Sequence, residues 1–92
     1  MELECRFFAS FREEVGQKTL EWTYDAAAVT AGDLLEDLIE EYPGLDIFEP
    51  NGEVRGFVSV MKNGRDITHL EGLDTPFEDG DRLSVFPPVA GG

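Results

Sequence analysis

The sequence predicts an α+β domain, with one sheet packed on one main helix. Three observations predict it. Residues 18–24 alternate with period two, Leu20, Trp22 and Tyr24 against Thr19, Glu21 and Thr23. Residues 31–42 carry an apolar stripe at helical spacing, Leu34, Leu35, Leu38, Ile39 and Tyr42. Further strand-like runs follow, separated by glycine-bearing turns. Strands before and after a single amphipathic helix make a two-layer α+β fold. The pattern leaves strand order open.

Taken in order, residues 3–9 read as the first strand. Leu3, Cys5 and Phe7 take one face, and Glu4, Arg6 and Phe8 the other. Residues 10–16 form a polar connection anchored by Phe11 and Val15, long enough for a helical turn that Gly16 would end. Residues 18–24 are the second strand and 25–29 a connector. Thr30 is a suitable N-cap, with Asp33 three residues on, so the helix is expected over 31–42. Pro43-Gly44 stops it. Its other face, Asp33, Glu36, Asp37, Glu40 and Glu41, reads as a solvated surface. Residues 45–56 carry a turn at Pro50-Asn51-Gly52 and are open between a helical turn and extended chain. Residues 56–62 read as a strand, Asn63-Gly64 as a two-residue hairpin turn, and 65–67 as the short returning strand. Residues 69–75 form a compact loop with Leu70 and Leu73 tucked under it. Asp79-Gly80 is another turn, and 82–86 is the last strand.

At 92 residues, 41% of them hydrophobic, the chain is one domain with a modest core. No apolar run approaches the ~20 residues that span a bilayer. The opening Met1-Glu2-Leu3-Glu4 lacks a signal-peptide pattern, so the expectation is cytoplasmic. The balance of 7 Lys+Arg against 20 Asp+Glu, a net charge of −13, argues against nucleic acid as a partner. With lysine confined to Lys18 and Lys62, the composition resembles that of a salt-adapted archaeal cytoplasm, where screening relieves self-repulsion. One cysteine, Cys5, excludes an intramolecular disulfide and multi-cysteine metal or iron–sulfur sites. A buried, inert thiol is expected there.

Nothing in the body has a catalytic pattern. His69, the sole histidine, has no partnered nucleophile in a recognisable motif. Glu13-Glu14 and Glu40-Glu41 sit in no calcium loop, and adjacent helix residues do not face one another, so no metal site is expected. Gly91-Gly92 has no helix after it to cradle a phosphate.

The chain's chemistry is expected at its end, Phe86-Pro87-Pro88-Val89-Ala90-Gly91-Gly92. Pro87 and Pro88 favour an extended path and cannot donate to a sheet, so the last strand should stop near Phe86. The six residues after Phe86 would reach roughly 20 Å. Gly91 and Gly92 lack Cβ atoms, so the backbone can thread a narrow channel and deliver the Gly92 carboxylate to a nucleotide. The division expected is a domain over 1–86 and a flexible tail over 87–92.

This ending resembles that of the MoaD and ThiS sulfur carriers and the small archaeal modifier proteins, ubiquitin-like relatives with the β-grasp fold. The resemblance takes in Gly72-Leu73-Asp74-Thr75-Pro76 and Asp79-Gly80-Asp81, and extends more loosely over the chain. It implies a mixed sheet with the first and last strands parallel at its centre. It also implies a carrier or modifier acted on by an E1-like enzyme that adenylates Gly92, with ATP used by that enzyme and no cofactor held by the carrier. Sulfur attack on the adenylate would give a thiocarboxylate, and attack by a lysine of a target protein an isopeptide bond. Pro87, Pro88, Val89, Ala90 and Gly91 would then be the segment recognised with Gly92. A desampylase-type metalloprotease would be the releasing enzyme. Lys18 and Lys62 are candidate acceptors in turn. The alternatives are a MoaD-type small subunit inserted in the large subunit of molybdopterin synthase, a ThiS-like thiazole carrier, and a β-grasp module that binds without reacting. The resemblance further suggests an apolar patch on the exposed sheet face, with Phe8, Phe57 and Phe86 as the residues whose exposure decides it.

Overall fold

The computed structural model describes residues 1–88. Val89, Ala90, Gly91 and Gly92, the outer part of the expected tail, lie outside the described residues. A five-stranded sheet carries the fold, in the order β2 (Thr19–Thr23), β1 (Glu2–Phe7), β7 (Arg82–Phe86), β4 (Ser59–Lys62), β5 (Arg65–Asp66). β1 and β7 run parallel at its centre, with Cys5 opposite Leu83 and Phe7 opposite Val85. All other neighbours are antiparallel. This is the α+β, β-grasp arrangement expected.

Alternation along the central strands sets the two faces of the sheet. Leu3, Cys5 and Phe7 of β1 and Leu83 and Val85 of β7 are buried. They meet Leu34, Leu35 and Leu38 of α2 (Ala31–Glu41), each wholly buried. Burying each such leucine contributes roughly 1.5–3 kcal/mol. Thr30 caps α2, its hydroxyl accepting from the Asp33 amide at 3.2 Å. Tyr42 falls just outside the helix, as its C-cap residue.

The first strand ends at Phe7 rather than Ala9. Ala9 has φ of 52°, which no strand accommodates, and it opens α1 (Ala9–Val15). Gly16 ends α1 in the left-handed region at φ 87°, its N–H donating to the Arg12 carbonyl. The expected connector 25–29 contains β3 (Ala28–Thr30), which pairs with β6 (Pro76–Glu78) in a separate two-stranded sheet. Three-residue strands hold too few alternations to be legible as a pattern. Pro76 sits at the start of β6, where a missing N–H is tolerated.

Three further expectations are corrected. β4 begins at Ser59, because Gly56 and Phe57 lie in a turn. Ile67 leaves β5 for a 3₁₀ turn, Ile67–His69, because the Asp66 carboxylate accepts from the Thr68 amide at 2.9 Å. Leu70 is exposed rather than tucked in, while Leu73 packs partly against the core. Residues 45–56 are not helical: Phe48 and Val54 form an isolated antiparallel bridge around the Pro50-Asn51-Gly52 turn. Asn63-Gly64 forms the hairpin turn between β4 and β5, with φ of 50° and 85°. Among the described residues, no helix is long and apolar enough to cross a membrane.

Candidate functional site: the end of the central strand

β7 stops at Phe86, as the two prolines require. Pro87 is buried, so the first proline of the expected tail is part of the packed body, and Pro88 is exposed. The final strand is held on both sides, by β1 in parallel and by β4, where Ser59 opposes Phe86. The chain therefore leaves the sheet from a position fixed by two ladders of hydrogen bonds.

An aromatic platform lies beside this point. The rings of Phe8 and Phe86 stack at 4.2 Å between centroids and 12° between planes. The Arg12 guanidinium lies 5.5 Å from the Phe8 centroid, and its Nε donates to the Phe7 carbonyl at 3.1 Å. Helix α1 thus clamps the ring pair from one side. Both rings are half-buried, whereas Phe57 is 84% exposed. Phe57 lies in the turn that precedes Ser59, the residue paired with Phe86.

Farther along the open face, the residues are charged. Arg82 Nε donates to Glu4 Oε2 at 2.7 Å, and this bond, outweighing a smaller opposing effect of burial, holds the Glu4 carboxyl below its ordinary range. Arg6 Nε lies 3.4 Å from the same oxygen but without hydrogen-bond geometry, and has no hydrogen-bond partner among the described residues. The face is therefore aromatic at the exit and ionic away from it.

The two lysines differ. Lys18 is exposed, and its backbone carbonyl accepts from the Phe7 amide at 3.0 Å. Lys62 Nζ donates to the Pro76 carbonyl at 2.6 Å, lies 3.6 Å from Asp81 Oδ2, and sits 5.7 Å from the Phe77 centroid. Its ammonium joins β4 to β6. Cys5 is wholly buried, and burial pushes its thiol up to about 12, so it is protonated and unreactive at neutral pH. His69 is exposed beside Asp66. Glu14 accepts from the Gly44 amide at 2.8 Å, tying α1 to the loop after α2. Among the described residues, no three His, Cys, Asp or Glu side chains are placed to hold a metal ion.

Of the three phenylalanines whose exposure the sequence left open, Phe57 is exposed and Phe8 and Phe86 are half-buried against each other; Arg12 had been given no role. The available signal was Phe8 itself, an aromatic on the polar side of an alternating strand.

The sequence profile of the ThiS family matches residues 5–92. The chain is 56% identical to small archaeal modifier protein 3 of Haloferax volcanii, with all of both chains covered. It is 33% identical to the sulfur carrier protein CysO of Mycobacterium tuberculosis, over 84% of this chain and 83% of the relative. The crystal structure of small archaeal modifier protein 1 from Haloferax volcanii superposes with a TM-score of 0.83 at 32% identity, covering 100% of both chains.

Proposed function

The chain belongs to the ThiS family of ubiquitin-like sulfur carriers and small archaeal modifiers, and from that premise we propose that it acts through its terminal Gly92 carboxylate. An E1-like enzyme would adenylate that carboxylate in the cytoplasm. The observation that carries this reading is the end of β7. The central strand stops at Phe86 beside the Phe8 ring, and an exposed Pro88 leads to the Val89-Ala90-Gly91-Gly92 segment.

A free carboxylate is a poor acylating agent, because its leaving group is oxide. Attack of the Gly92 carboxylate on the α-phosphorus of ATP releases pyrophosphate and makes AMP the leaving group. A sulfur nucleophile then yields a thiocarboxylate, and the amine of a target lysine yields an isopeptide bond, each releasing AMP. The carrier supplies the reactive end and a docking face; the enzyme supplies nucleotide and metal, and the sulfur donor or target lysine supplies the nucleophile. Phe8, Phe86 and the exposed Phe57 supply aromatic contact area next to the reacting end, suited to holding the activating enzyme. Residues 88–92 are the recognised segment, with Pro87 packed in the body that holds it. Lys18 is the better acceptor for a second modifier, because the Lys62 ammonium is already engaged. Insertion in a molybdopterin synthase large subunit is the second reading, since the same tail would serve there.

The test is ATP–pyrophosphate exchange by the activating enzyme of the source organism. The native chain should support exchange. A Gly92→Phe variant with an unchanged fold should not. Equal exchange by both would remove Gly92 from the reaction, and no exchange by either would leave a non-reacting binding module. Co-purification with a molybdopterin synthase large subunit, without lysine conjugates, would favour the second reading.

A further inference from the structure

Strand β5 is only two residues long, and this leaves the outer edge of β4 incomplete. The ladder pairs Lys62 with Arg65 and Met61 with Asp66, and stops there. Asp66 ends it, its carboxylate accepting from both the amide and the hydroxyl of Thr68 at 2.9 and 2.8 Å. The Ile67 carbonyl, which a continued ladder would give to Val60, accepts instead from the Leu70 amide at 2.9 Å.

On its inner side β4 is paired with β7 over its whole length. Asn63 N–H donates to the Arg82 carbonyl at 2.9 Å, which fixes the phase of the ladder. Residues 59, 61 and 63 turn their backbone groups toward β7, and Val60 turns its amide toward the short β5. Val60 lines a cleft of about 520 Å³ between segments 53–60 and 66–73. Val58, Val60, Ile67 and Leu73 line it with apolar surface, and Glu53 and Asp66 with carboxylates. No Lys or Arg lines it. Phe57 stands at 84% exposure between Gly56 and Val58, both lining residues.

We infer that this cleft binds an extended, basic segment of a partner protein, added as a short strand beside β4. The β4 backbone at Val60, where the pairing with β5 has stopped, supplies the backbone contact, apolar side chains form the floor, and lysine or arginine meets the two carboxylates. The charge selects the occupant. A second copy would bring another net charge of −13, and the chain's own end would bring a carboxylate. The Thr68 amide holds the Asp66 carboxyl below the usual carboxylate range. Because β4 separates the cleft from β7, occupation does not compete with the chain end for the same strand edge. The inference does not depend on any reaction at Gly92.

The test is a titration of the ¹⁵N-labelled full chain with acetyl-Lys-Val-Lys-Val-Lys-amide, read by amide shifts. The acidic acetyl-Glu-Val-Glu-Val-Glu-amide is the control. Saturating shifts centred on Val58, Val60, Ile67 and Leu73 are expected, with the acidic peptide at least about tenfold weaker. Glu53→Lys should weaken the basic peptide about fivefold while leaving the rest of the spectrum in place. The inference fails if millimolar basic peptide causes no shifts or shifts centred on the acidic face of α2. It also fails if the cleft amides shift on protein dilution alone, which would make a second copy the occupant. Shifts of the same amides in Val89→Asp without peptide would make the chain's own end the occupant, and would also overturn it.

Discussion

Phe8 and Phe86 are 78 residues apart in the chain and stack at 4.2 Å at the end of the two central parallel strands. The pair joins the first strand of the fold to the strand that leads to the chain end. Because both rings stand on the open sheet face, they support the exit without filling the core. Phe8→Ala and Phe86→Ala should each leave a folded protein, and a double-mutant cycle on unfolding should show coupling of about 1 kcal/mol. Each variant should also raise the KM of the activating enzyme for the carrier more than it lowers kcat. An unchanged KM in both would remove the platform from the docking surface.

The two lysines should separate in the same way. Lys62→Met removes the bond to the Pro76 carbonyl and leaves Asp81 without its cation, so unfolding should become easier by about 1 kcal/mol. Lys18→Arg should leave stability unchanged. Under conjugating conditions, proteolytic mapping of diglycine remnants should find Lys18 occupied ahead of Lys62. The reverse order would show that engagement of the ammonium does not protect it.

Acid sensitivity should come in part from Asp81. Burial alone would raise its carboxyl, but the Asn63 side-chain amide, the Glu78 amide and the Lys62 ammonium together hold it below 3.8. Its folded pKa lies below its unfolded one, so the unfolded chain binds the proton first. The stabilisation is complete above the unfolded value and is lost as pH falls through the folded value. Asp66 shifts in the same direction, chiefly through the Thr68 amide. Asp81→Asn should lower stability at neutral pH by about 1 kcal/mol and flatten the acid limb of the unfolding profile. A parallel acid limb would assign it to other carboxylates.

The hairpin turn gives a backbone test. Gly64 has φ of 85° with open space around it, so adding a methyl group meets conformational strain and no clash. Gly64→Ala should cost about 1 kcal/mol. No loss would show that the turn relaxes to another type.

Most of the layer arrangement was legible, and the reason is periodicity. The stripe through Leu34, Leu35 and Leu38 and the alternation through Leu3, Cys5 and Phe7 each repeat often enough to name an element and its buried face. β3 and β6 were not legible, because three residues show little period and Pro76 argues locally against a strand. Ile67 read as strand because its apolar side chain fits one. The chain is turned away by a local bond, the Asp66 carboxylate accepting from the Thr68 amide two residues on, which competes with strand pairing and leaves no mark on the apolar pattern. At the site, the stop at Phe86 followed from the chemistry of proline. The family resemblance implied the parallel pairing of the first and last strands, but the residue pattern did not fix their register, and that register is what stacks Phe8 on Phe86.

The most direct test of the central proposal is the intact mass of the protein isolated from its own cells, with denaturing gels beside it. The account predicts a mass gain equal to sulfur for oxygen at Gly92, high-mass conjugates that depend on Gly92, or both. A wholly unmodified mass with no conjugates, in cells that contain the activating enzyme, would contradict it.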